Sequence, residues 1–198
     1  AAATADSAQD PRQVPVTASQ PPKSDQDQAM LPLNKAEQND PSPLPQADYI
    51  RALNFPQNET DKLGFTALRK AMRDHTTRQL IRAAEDVLTL LSQDGIYMDD
   101  LTPKPSSTKD WRLFSQGARG PALSGLATIQ EESVLELTQK RMREDLIFRD
   151  AAHHFLRIFD KSFMEFERQA REDELAAFAQ TRTARAFMVL GSVTGTFE

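Results

Sequence analysis

Between residues 145 and 170 the apolar positions recur every three or four residues, and the stretch holds five of the chain's 11 phenylalanines. On a helix turning about 100° per residue, Phe148, Phe155, Phe159, Phe163 and Phe166 fall within roughly 80° of one another. Ala151, Ala152, Leu156 and Ile158 widen that arc, while Arg149, Asp150, Arg157, Lys161, Glu165 and Arg168 occupy the rest of the circumference. An apolar stripe of this width must be covered by other helices, so the segment predicts the central helix of a helical domain. Asp145, just ahead of the stripe, is placed to cap it.

The run 64–93 also reads as helix, with Gly95 placed to stop it, but its apolar positions do not keep one phase. Phe65, Leu68 and Met72 share one face, whereas Leu80, Ala84, Val87, Leu88 and Leu91 define another, rotated by about 100°. Thr76 and Gln79 have the spacing of a capping box, which predicts a restart or kink near 75–77. Residues 94–110 read as a loop, with Tyr97, Met98 and Leu101 expected to be pinned against the helices. A short helix around Trp111, Leu113 and Phe114 should end at Gly117, and Pro121 should open another over 121–127. Residues 131–144 form an amphipathic pattern with acids first and Lys140, Arg141 and Arg143 last, an order that suits the helix dipole. Finally, Leu175, Phe178, Ala179, Ala186, Val189 and Leu190 are in phase if 174–190 is one helix, with Arg182 intruding. Thr181 can equally cap a second helix, and both readings stay open; Gly191 is expected to end the element. No alternating strand pattern of useful length is present.

The first part of the chain behaves differently. Nine of the 12 prolines lie within residues 1–56, and no glycine precedes Gly64. Such a segment cannot bury enough apolar surface to offset an ordering entropy of about 1–2 kcal/mol per residue. The expectation is a disordered tail over 1–60, rich in Pro, Gln and Asp, and a helical domain over 61–198. The fold class is all-α, a compact bundle of about five or six helices around the Phe-rich one. Tyr49, Ile50, Leu53 and Phe55 should form a short turn that packs back on the domain before Pro56. Within the tail, Met30, Leu31 and Leu33 make the one apolar spot and are the candidate docking peptide for a protein partner.

Composition narrows the classes. With no cysteine, the chain has no disulfide, thiol nucleophile or thiolate metal site, and it fits a reducing, cytoplasmic compartment. A net charge of -5 does not suit a general polyanion binder. The longest apolar run, 186–190, is far short of the roughly 18 residues of a membrane span, so no membrane is expected. The chain opens AAATADSAQD without Met, for which initiator removal before a small residue is the default reading, with a cleaved signal peptide left open.

Candidate chemistry is sparse. Asp150 and His153 have the i, i+3 spacing of a carboxylate and histidine pair in di-metal bundles, but no second pair accompanies them. They are weak metal candidates, and neither a catalytic residue nor a cofactor is assigned. The turn 117–121, GARGP, could offer amides and Arg119 to a phosphate, yet it lacks the spacing of a known phosphate loop and reads better as a connector. A helix-turn-helix reading of 175–190 has a mainly apolar second helix, built for burial. The strongest charge feature is 62–82, where Lys62, Arg69, Lys70, Arg73, Arg78 and Arg82 face Asp74 alone, followed by an acidic block over 85–100. Arg69, Arg73, Arg78 and Arg82 are the candidates for crossing a nucleic-acid backbone. They wrap the helix without interleaved aromatics, so pairing between the two blocks is the preferred reading.

The run 86–101 (DVLTLLSQDGIYMDDL), 111–120 (WRLFSQGARG), 147–160 (IFRDAAHHFLRIFD) and 181–197 (TRTARAFMVLGSVTGTF) together resemble a family of uncharacterised alphaproteobacterial proteins over about residues 65–197. The resemblance implies a bacterial, cytoplasmic protein and names no site. The function expected from all these readings is a non-enzymatic helical interaction or regulatory protein docking a protein partner. The alternative is a nucleic-acid-binding regulator using the basic helix.

Overall fold

The computed structural model describes residues 43–198, and the candidate docking residues Met30, Leu31 and Leu33 lie outside them. The described chain runs through α1 (Gln46–Asn54), α2 (Lys62–Ala71), α3 (His75–Gln93), α4 (Thr108–Ser115), α5 (Glu132–Glu144), α6 (Leu146–Glu167), α7 (Glu172–Ala179) and α8 (Arg182–Val193). Two 3-10 segments, Met98–Asp100 and Gly120–Leu126, join α3 to α4 and α4 to α5. Among the described residues there is no strand, so the class is all-α.

The Phe stripe is the centre. Asp145 caps α6 by accepting a hydrogen bond from the Phe148 amide at 3.0 Å. Phe148, Phe155, Phe159, Phe163 and Phe166 are all buried, and α6 packs against α3, α4, α5 and α8. Trp111 of α4, Phe178 of α7 and Phe187 of α8 close over the same rings. Phe159 and Phe187 stack with centroids 4.1 Å apart, and Trp111 meets Phe178 edge-on at 5.5 Å. Aromatic pairs in these geometries add about 0.5–1.5 kcal/mol each beyond the area they bury. The polar ends of the buried aromatics are satisfied as well. Trp111 Nε1 donates to Ser106 Oγ at 2.9 Å, and the Tyr49 hydroxyl pairs with Ser162 Oγ at 3.0 Å. Burial pushes the Tyr49 phenol well above its ordinary pKa.

Elsewhere the structure departs from the periodicity. Residues 46–54 are a full helix rather than a short turn, so helical structure is present within the stretch expected as tail. Tyr49, Ala52 and Leu53 occupy one helical face and are buried, a signal hidden in the sequence by the surrounding prolines. The register break after α2 is real, but the restart is capped by Asp74, whose carboxylate accepts from the Thr77 amide at 2.7 Å. The Thr76 and Gln79 pair does not serve as a capping box there; Asp74 stands two residues nearer the break.

On α2 the buried face is Gly64, Ala67 and Ala71, with Leu68 and Met72 half-buried and Phe65 43% exposed. These small residues let α1 come close, because the interaxial distance is set by the side chains at the contact. The last stretch is two helices, with the Thr181 hydroxyl accepting from the Ala184 amide at 3.1 Å. Gly191 does not end α8 but lies within it, where a Cβ would enter the ring of Phe197. Met98 and Leu101 are pinned as expected, together with Ile96, while Tyr97 is 54% exposed.

Candidate functional site

The sequence candidates are scattered by the fold. Asp150 and His153 both sit exposed on α6, and among the described residues no group of three or more His, Asp or Glu is placed to hold a metal ion. The four arginines are divided: Arg69 on α2, Arg73 in the turn, and Arg78 and Arg82 on α3, with Asp74 between the helices. Arg78 is half-buried and donates to the Met72 carbonyl at 3.4 Å. Three members of the basic and acidic blocks take partners outside the two blocks. Asp94 takes Arg141, which also bonds Asp145 at 3.0 Å, and Asp99 takes Arg182. Lys70 pairs with Asp48 at 2.8 Å. Arg119, in the turn considered for phosphate, is engaged internally with the carbonyls of Phe114 and Ala118 and with Asp160 at 2.7 Å.

What the fold does assemble lies around the turn that joins α1 to α2. A groove of about 570 Å³ runs between α1 and α7, lined by Ile50, Arg51, Phe55, Leu63, Arg171 and Ala177 among others. Its acidic groups are committed. Asp61 accepts from the Gly64 amide at 2.8 Å and the Gln57 amide at 3.1 Å, which holds its carboxyl below the usual carboxylate range. Glu174 accepts from the Arg171 amide at 2.9 Å, and Asp173 pairs with the Arg171 guanidinium at 3.0 Å. The apolar members of the wall are left to make contacts, and Leu63 is 65% exposed.

A second groove, of about 390 Å³, is lined by Leu88, Ile96, Tyr97, Met98, Asp99 and Arg182 among others. Phe55 lines both grooves. Its backbone stands at φ 59° and ψ 159°, a region that glycine occupies almost alone and that costs other residues about 1–3 kcal/mol.

Arg182, the first residue of α8, ties this corner together. Its Nη1 donates to the carbonyls of Asn54 at 3.3 Å and Pro56 at 3.2 Å, the residues on either side of Phe55. Its Nε and Nη2 donate to the two carboxylate oxygens of Asp99 at 2.8 and 2.5 Å. Those bonds hold the Asp99 carboxyl below the usual carboxylate range and raise the Arg182 guanidinium. Neighbouring Arg185 donates to the Met98 carbonyl at 2.8 Å and so fixes the second groove's floor. Sequence reading missed these roles. The signals available were the charge at 182 in an apolar run and the Phe55–Pro56 step, since proline pushes its predecessor out of the helical region.

Chemically, the arrangement can cover an apolar face of another molecule within a rim of compensated charge. Comparison with family models, with curated proteins and with solved structures found no match to this chain.

Proposed function

We propose that the protein is a non-enzymatic helical interaction module that docks a protein partner in the groove between α1 and α7. The observation that carries this reading is Leu63. It lines a groove of about 570 Å³ beside Ile50, Phe55 and Ala177, yet it is 65% exposed and contributes little to the core. An apolar side chain held at the lip of such a groove matches the way amphipathic segments bind, through a few apolar anchors surrounded by polar contacts. The compensated ion pairs around it give no strong field of either sign, which favours a partner recognised by apolar anchors over a polyanion.

The test is affinity capture with the full chain followed by identification and titration of the partner. Leu63→Ser is expected to keep the wild-type melting temperature within about 2 °C, as exposed substitutions do, and to weaken the purified partner by about tenfold. A variant with Arg69, Arg73, Arg78 and Arg82 changed to Ala should bind that partner as wild type does. If it is the four-arginine variant that loses binding, with steep salt dependence, the nucleic-acid reading replaces this one.

A further inference from the structure

We propose that the α1–α2 turn is a gate between the two grooves, and that Arg182 and Asp99 are its latch. Four observations lead there. Phe55 is the residue common to the linings of the two grooves. It stands there in a backbone conformation that its own side chain disfavours, at φ 59° and ψ 159°. Because Pro56 follows, its relaxed state is extended, with φ near about −120°, so relaxation turns the ring away from its present position. The strained state is held on both flanks by one side chain, the Arg182 guanidinium, which bonds the Asn54 and Pro56 carbonyls. The Arg182 amide also donates to Asn54 Oδ1 at 3.2 Å.

Asp99 is the second half of the latch. Its carboxylate takes Nε and Nη2, so the guanidinium is oriented with Nη1 toward the turn. This job requires the planar fork, because an ammonium at the same place cannot bond the carboxylate in two places and two carbonyls at once. Beyond Pro56 the turn is hinged on Asp61, which accepts from the Gln57 and Gly64 amides, with Pro56 Cα lying 3.0 Å from where a Cβ of residue 64 would stand. Opening therefore releases the Phe55 end while the Asp61 end stays anchored, and joins two grooves into one. As regulation of the docking groove this rests on the function proposed above; as a motion of the free protein it does not.

Hydrogen exchange of the full-length protein, without partner, tests it. Arg182→Lys and Asp99→Ala are each expected to raise exchange at the Phe55 amide by about tenfold, while the Gln57 amide, bonded to Asp61, and the α6 amides stay as in wild type. Phe55→Gly accepts the same backbone without strain, so adding Arg182→Lys to it should raise exchange by no more than about threefold. Unchanged exchange at Phe55 overturns the proposal, as does an equal rise in the glycine background. A rise shared by α6 reports loss of the whole fold and overturns it too. If exchange follows the expected pattern but Leu63→Ser binds the purified partner normally, the gate stands and the docking groove is in the wrong place.

Discussion

Two halves of the molecule are built on different principles. Around α6 the contacts are interlocked rings: Trp111 touches Phe163 at 5.3 Å and Phe187 at 5.7 Å, and Phe159 stacks on both Phe163 and Phe187. At α1 and α2 the contacts are Gly64, Ala67 and Ala71, and the connecting turn is tied by hydrogen bonds donated by Arg182 and accepted by Asp61. Interlocked rings at crystalline density have no second arrangement of similar energy, whereas a turn held by a few polar bonds opens when they are removed. The rigid half therefore sets the frame, and the half that can change shape carries the groove.

Breaking the rigid half should have the largest effect. Phe159→Ala removes the ring that touches most of the cluster and should cost about 3–5 kcal/mol, read as a fall in melting temperature of roughly 10 °C or more by calorimetry. On the other side Gly64→Ala drives a methyl group into the Asp61 carboxylate that caps α2, and should cost about 1–3 kcal/mol in chemical denaturation. Tyr49→Phe bridges the two halves, since Tyr49 of α1 reaches Ser162 of α6; it should cost about 1 kcal/mol near neutral pH. Its sharper signature lies in alkali. Burial raises the Tyr49 pKa, so wild type loses stability as pH rises above the ordinary tyrosine value, where the unfolded chain releases a proton that the core retains. The Phe variant should lack that part of the loss.

The smallest effect belongs to the latch. Asp99 has its pKa lowered first by the Arg182 hydrogen bonds, so its contribution is full above the unfolded-state value and disappears as pH falls through the folded-state value. Urea melts of wild type and Asp99→Asn should differ by a constant margin at neutral pH and converge in acid. The margin is small because the Asp99 side chain is 60% exposed.

Much of the rigid half was legible in the sequence because phenylalanines at helical spacing leave few alternatives to a buried stripe, and because Asp145 and Thr181 are cap residues in cap positions. The other half was not, for physical reasons. Gly64, Ala67 and Ala71 carry no apolar signal, so the larger Phe65, Leu68 and Met72 claimed the face that small residues in fact provide. Helix α1 is embedded among prolines that speak for a tail. Phe55 adopts its conformation because of bonds from Arg182, separated from Asn54 by 128 positions and from Pro56 by 126, and no local pattern encodes a tie of that span. The acidic block was readable as charge but not as pairs, since Arg141 and Arg182 reach it only through the fold.

The account's central claim is that stability is unequally divided between the two halves, and native-state hydrogen exchange under rising denaturant tests it most directly. Amides of α6 should exchange only through global unfolding, with the full denaturant dependence, while Phe55 exchanges through a local opening that denaturant hardly changes. If α6 amides exchange as readily as those of the α1–α2 turn, and with the same denaturant dependence, the aromatic cluster is not the frame of this fold.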